Sequence, residues 1–159
     1  MTLALSWCSQ PESQGPAEGP LKMGNATLHH LGLVVSSISA AASEFVDALS
    51  ASWDEKIIHD PIQRVRVAFF LPKDSRNPVF ELVEPAAEDS PVTNLLRKRG
   101  SLHHVCYEVD DLEETLRSAR RAGLILISSP APAVAFDGRR IAWVCSKQRL
   151  VIEFLERSA

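Results

Sequence analysis

From Leu28 onward the chain alternates between two hydrophobic periods. Leu28–Val35 is a short, mostly apolar run, the pattern of a strand. After it Ile38, Ala42, Phe45, Val46 and Leu49 recur at helical spacing, with Ser37 or Ser39 placed to cap the helix. Three β-branched or aromatic runs follow, Trp53–Ile58, Val65–Leu71 and Val79–Glu84, each read as a strand. The pattern then restarts. Leu102–Val109 is a second apolar run, and Leu112, Leu116 and Ala119 lie on one face of a helix capped by Asp110 or Asp111. Gly123 closes that helix. Its first turn holds Glu113 and Glu114 and its end Arg117, Arg120 and Arg121, the order that suits a helix dipole. Strands are expected again over Leu124–Ser128, Arg140–Cys145 and Leu150–Glu156.

The two halves are one unit written twice. Leu28-His29-His30-Leu31-Gly32-Leu33-Val34-Val35 aligns with Leu102-His103-His104-Val105-Cys106-Tyr107-Glu108-Val109, 74 positions on. Val65–Phe70 falls on Arg139–Val144 at the same offset. The repeat is β-α-β-β-β, in modules 27–88 and 101–157. They are joined by a short helical linker, 89–100, with Ser90 as cap, Pro91 in the first turn and Gly100 at the end. Modules of roughly 55 residues are small for independent folding, so 27–159 is expected to form one domain. The fold class expected is α+β, with a curved mixed sheet and helices on its outer face.

Residues 1–26 differ in kind. They hold six of the seventeen Gly and Pro residues and no helical or strand period, so they read as a flexible leader. Thr2–Cys8 has neither the charge nor the apolar length of a signal peptide, and Met23 is a second possible start.

Composition narrows the function. Apolar residues make up 45% and charged residues 23%, an ordinary globular balance. The net charge of −3 argues against nucleic acid as the partner. No apolar run approaches the ~18–20 residues of a membrane span. Three cysteines without CxxC spacing argue against a disulfide framework or a thiolate zinc site, so the cytoplasm is the expected compartment.

The chemistry sits in polar residues that the strand pattern would bury. Glu81 shares a face with Val79 and Val83, and Glu153 with Val151 and Leu155. His30 shares a face with Gly32 and Val34, His104 with Cys106 and Glu108. Each copy thus offers one His from its first strand and one Glu from its last. Taken singly, a strand-start His or a strand Glu is more often a surface group. Recurrence of both types at the same elements argues for a shared task. Two imidazoles and two carboxylates would neutralise a divalent ion and leave positions open for substrate.

Several segments carry a resemblance: His30-Leu31-Gly32-Leu33-Val34-Val35, Gln63–Phe70, Phe80–Pro85, Asp89-Ser90-Pro91-Val92, Gly100–Leu112 and Val151–Phe154. The chain resembles the vicinal oxygen chelate superfamily, of the glyoxalase, bleomycin resistance and dioxygenase type. Within it the methylmalonyl-CoA epimerase branch is the nearest match. The resemblance covers about Leu28 to Glu156 and implies paired βαβββ modules in a half-open sheet around one divalent ion (Co, Ni, Zn, Mn, Fe or Mg). By position, the implied ligands are His30, Glu81, His104 and Glu153, with Glu153 also the candidate catalytic base. His29 and His103 are left as packing residues or supports. Where a relative would offer a second carboxylate, this chain has Val67. Asp137 and Arg139 are candidate substrate contacts, as are Gln63 and Phe136, and Arg64 and Arg66 could meet a CoA phosphate. For Asp137 and Arg139 the plain alternative is a polar Asp-Gly turn.

The implied activity is metal-dependent epimerisation of a chelating acyl thioester, on CoA or a carrier protein, in a chain that could pair as a homodimer. Glyoxalase-like or dioxygenase chemistry is the alternative, as is a non-catalytic small-molecule binding or resistance protein.

Overall fold

The structure, a computed structural model, describes residues 19–99 and 101–158. It falls into two compact units. One spans His29–His104; the other combines the described residues ahead of His29 with 105–158.

In the first unit, β1 (Thr27–Val34, its first two residues belonging to the other unit) leads to α1 (Ile38–Ala48). Then come β2 (Ala51–Ser52), β3 (Ile58–Asp60), β4 (Val65–Pro72), β5 (Val79–Pro85) and α2 (Thr93–Arg97). β5 lies between β1, parallel to it, and β4, antiparallel; β2 and β3 both pair with β4. In the second unit, β6 (Leu102–Val109, its first three residues belonging to the first unit) is followed by α3 (Leu112–Arg121), β7 (Ile125–Pro132), β8 (Arg140–Cys145) and β9 (Val151–Glu156). There β9 lies between a parallel β6 and an antiparallel β8, with β7 beyond β8. The α+β class and the βαβββ repeat expected from the sequence are both present.

Helix starts follow local chemistry. Ser37, not Ser39, caps α1, its hydroxyl accepting from the Ala40 N–H at 3.3 Å; Asp111, not Asp110, caps α3, accepting from the Glu114 N–H at 2.8 Å. Each helix covers one sheet face. Ile38 and Ala42 pack on Ala68, Phe70 and Leu82; Leu112, Leu116 and Ala119 pack on Ala142, Val144, Ile152 and Phe154. Alternation along the strands therefore turns His30, Gly32, Phe69 and Glu81 to the face away from α1. Cys106, Trp143 and Glu153 turn away from α3 in the same way.

Three expectations need correction. The strand expected at Trp53–Ile58 is split into β2 and β3, and the stretch between them is a turn. Asp54 accepts from the Lys56 N–H at 3.0 Å and Glu55 takes a left-handed φ of 63°. Trp53 instead stacks on Phe70, ring centroids 5.4 Å apart. The linker helix begins later than its sequence suggested: Val92 is its cap residue, and Ser90 Oγ is buried without a hydrogen-bond partner. The Gly100 expected to end it lies outside the described residues. β7 runs on through Pro130 to Pro132, which two register shifts and a position at the end of its sheet permit.

Of the leader expected over 1–26, residues 1–18 lie outside the described residues. Leu21, Met23 and Ala26 pack against the α3 core, and the Lys22 N–H donates to Ser118 Oγ at 2.7 Å. Packing thus begins upstream of Thr27. Among the described residues no helix is long and apolar enough to cross a membrane.

Candidate metal centre

The parallel pairing of β1 with β5 sets Gly32 opposite Glu81, and the antiparallel pairing of β5 with β4 sets Glu81 opposite Phe69. His30, two residues before Gly32, is fully buried and packs edge-on against Phe69, centroids 5.7 Å apart. Gly32 leaves the space that His104 fills: a Cβ there would lie 2.0 Å from its Cε1.

Three donor atoms therefore meet in the first unit. His30 Nε2 and His104 Nε2 are 2.9 Å apart, and Glu81 Oε2 lies 3.4 Å from the first and 3.3 Å from the second. All three residues are at least nine-tenths buried. Divalent ions bind imidazole nitrogen and carboxylate oxygen at ~2.0–2.2 Å, which spaces neighbouring donors about 3.0 Å apart at right angles and about 3.4 Å apart at tetrahedral angles. The observed triangle has those edges, so the residues fit such an ion. Three donors on one side leave the remaining positions to a further protein ligand or to substrate.

The electrostatics agree. Burial alone would raise the Glu81 carboxyl, but the charges and hydrogen bonds of His30 and His104 outweigh it and hold the group below its ordinary value. Burial, reinforced by His104, pushes the His103 imidazole down to about 3, so that ring is neutral.

Glu153 belongs to the second unit, where it is 3% exposed in β9, opposite Cys106 and Trp143. Its register repeats that of Glu81: each Glu faces the residue two beyond its copy's inner His, Gly32 in one and Cys106 in the other. The weaker candidates are placed as follows. Gln63 sits in the turn after β3, its N–H donating to Asp60 Oδ1 at 2.9 Å. Phe136 is buried in a short 3₁₀ turn, and Asp137 and Gly138 have left-handed φ of 54° and 82°. Arg139 donates to Glu108 at 2.6 Å and lies over the Phe136 ring. Arg64 pairs with Asp89 at 2.5 Å and Arg66 with Glu84. Residue patterns alone did not reveal Phe69 as a wall of the site, nor the need for Gly32. A glycine inside a strand was the available signal of close approach.

The chain is similar to known proteins in sequence and in fold. A family model described as the Glyoxalase/Bleomycin resistance protein/Dioxygenase superfamily matches residues 29–143. The ethylmalonyl-CoA/methylmalonyl-CoA epimerase of Cereibacter sphaeroides is 30% identical over 123 residues, covering 76% of this chain and 88% of that protein. Mitochondrial methylmalonyl-CoA epimerase of Mus musculus is 32% identical over 77% of this chain and 67% of its own length. Among solved structures, methylmalonyl-CoA epimerase from Mycobacterium tuberculosis superposes with a TM-score of 0.71 at 25% identity, over 83% of this chain and 88% of that one. A family match over most of the chain, joined by relatives alike along most of their own length, makes this chain a member of the glyoxalase/bleomycin resistance/dioxygenase superfamily.

Proposed function

We propose that the chain is a metal-dependent epimerase acting on a 2-substituted malonyl thioester, with methylmalonyl-CoA as the model substrate. The observation that carries this reading is the buried His30–Glu81–His104 triangle, in a chain 30–32% identical to epimerases of such thioesters. His30, His104 and Glu81 would hold one divalent ion through Nε2, Nε2 and Oε2. Glu153 is assigned as fourth ligand from its matching register in the repeat and from the family resemblance. Bound there, a dication supplies positive charge beside two substrate oxygens and lowers the cost of the negative charge that develops when the proton between them leaves. Glu153 is also assigned the removal of that proton. Val67, 4% exposed in β4, offers no carboxylate, so the return of a proton on the opposite face does not use that position.

The test follows deuterium entering the α-carbon of methylmalonyl-CoA in D₂O, with Co(II) or Mn(II) supplied. Wild type should exchange and epimerise, and Glu153→Gln should lose about 10²–10⁴-fold in rate. Absence of exchange with every divalent ion would overturn the proposal. The same two-His, one-carboxylate set also suits non-haem iron(II). Oxygen uptake with iron(II), without exchange, would assign oxygenase chemistry instead.

A further inference from the structure

Behind each inner imidazole lies another. His29 Nδ1 is 2.8 Å from His30 Nδ1, and His103 Nδ1 is 2.8 Å from His104 Nδ1. With the 2.9 Å contact between the inner Nε2 atoms, the rings form one chain, His29–His30–His104–His103, inside the first unit. Successive rings stand at 80°, 86° and 86° with centroids 5.0–5.1 Å apart, so each nitrogen meets its neighbour edge-on.

Proton counting constrains this chain. Two ring nitrogens at hydrogen-bond distance need one proton between them, and a neutral imidazole carries a single N–H. Four neutral rings hold four protons; three links use three, and the fourth sits on an outer Nε2. The chain then runs in one direction. If His30 Nδ1 donates to His29, His30 Nε2 must accept from His104, and His104 Nδ1 from His103. In that state only one inner Nε2 has a lone pair. For both inner Nε2 atoms to act as ligands, both inner rings must carry their proton on Nδ1 and both outer rings must accept it. The count stays at four, and one dyad reverses.

We infer that His29 and His103 are positioning residues that accept the Nδ1 protons of His30 and His104, fixing the tautomer in which both Nε2 atoms turn unprotonated lone pairs toward the site beside Glu81. The inference rests on the proposed metal site for its purpose, and on the paired 2.8 Å contacts for its substance. The same arrangement appears in both copies, which packing alone does not require. An acceptor behind a ligating imidazole fixes its orientation and raises its basicity.

The experiment combines ¹⁵N-histidine NMR with zinc affinity measured against a chromophoric chelator. It compares wild type with His29→Asn, His29→Phe, His103→Asn and His103→Phe. In metal-free wild type, coupling across the N–H···N links should join the Nδ1 of His29 to that of His30 and the Nδ1 of His103 to that of His104. With zinc, both inner rings should be protonated at Nδ1. The Phe variants should bind zinc about 10–100-fold more weakly. The Asn variants, whose Oδ1 still accepts, should recover most of that loss. Phe variants as tight as wild type, or Asn variants no better than Phe, would overturn the inference. So would metal-free spectra without the Nδ1–Nδ1 couplings. Failure of wild type to take up zinc would count against the metal site instead, and the metal-free spectra would still decide the positioning roles.

Discussion

One added carbon at Gly32 would reach His104 before anything else, with a Cβ 2.0 Å from Cε1 and 2.3 Å from Nδ1. The backbone there is ordinary strand, so the constraint is space and not conformational freedom. Gly32→Ala should push the His104 ring out of the triangle and cost about 1–3 kcal/mol through overpacking. Thermal unfolding should show the destabilisation, and chelator competition a loss of metal affinity larger than the fall in stability explains. Unchanged affinity in the alanine variant would contradict the role given to this contact. At this scale the sequence was partly legible. The identities of His30, Glu81 and His104 stood out because they recur on equivalent strands. The triangle they form depends on the β1–β5 register and on a ring reaching across from position 104. No spacing along the chain encodes either. Cys106, which replaces glycine in the second copy, shows that the repeat is kept in the ligand types and relaxed in the neighbours.

The elements repeat more than their ligands. The cross-strand pair Arg66–Glu84 on β4 and β5 has its counterpart in Arg140–Glu156 on β8 and β9. Glu84 also accepts the Ile38 N–H at 2.7 Å, so a strand carboxylate helps to start α1. The Arg140 guanidinium reaches Glu113 in the first turn of α3. These pairs tie the ends of the last two strands to the helix in each copy. They escaped the pattern analysis because a charged residue near a strand end reads as a surface group. Glu108 on β6 belongs to a similar cluster with Arg139 and Arg157. Burial would raise its carboxyl, but hydrogen bonds from the two guanidiniums outweigh that and hold it below its ordinary 4.5. A carboxyl held low in the folded state contributes stability above about pH 4.5, and that contribution is lost as pH falls through and below the folded value. Thermal midpoints measured from pH 7 to pH 3 should fall on the acid side. Glu108→Gln should start lower at pH 7 and fall less steeply. Parallel curves for the two proteins would contradict this assignment. The helices α1 and α3 were the most legible elements, since caps and apolar stripes are local. The Trp53 segment was the least legible, because its stacking on Phe70 overrides the strand propensity of its residues.

For the molecule as a whole, the internal repeat was the most informative feature in the sequence. It gave the βαβββ order of both units before any contact was known, and the family match over residues 29–143 agrees with it. The unit boundaries were less legible: the first unit closes at His104, inside β6, where the strand pattern shows no break. The segment ahead of β1 was read as a leader from its Gly and Pro content. Its described part is anchored to α3 through Leu21, Lys22 and Met23, contacts with partners nearly a hundred positions away. Epimerisation as proposed requires this chain to hold a divalent ion through His30, Glu81 and His104. Elemental analysis of tag-free protein, alongside Glu81→Gln and His104→Ala, after equilibration with Co(II), Ni(II), Zn(II) or Mn(II), decides whether it does. Wild type should carry about one ion per chain and both variants should lose it. A wild type that takes up none of these ions, or variants that retain as much as wild type, would contradict it.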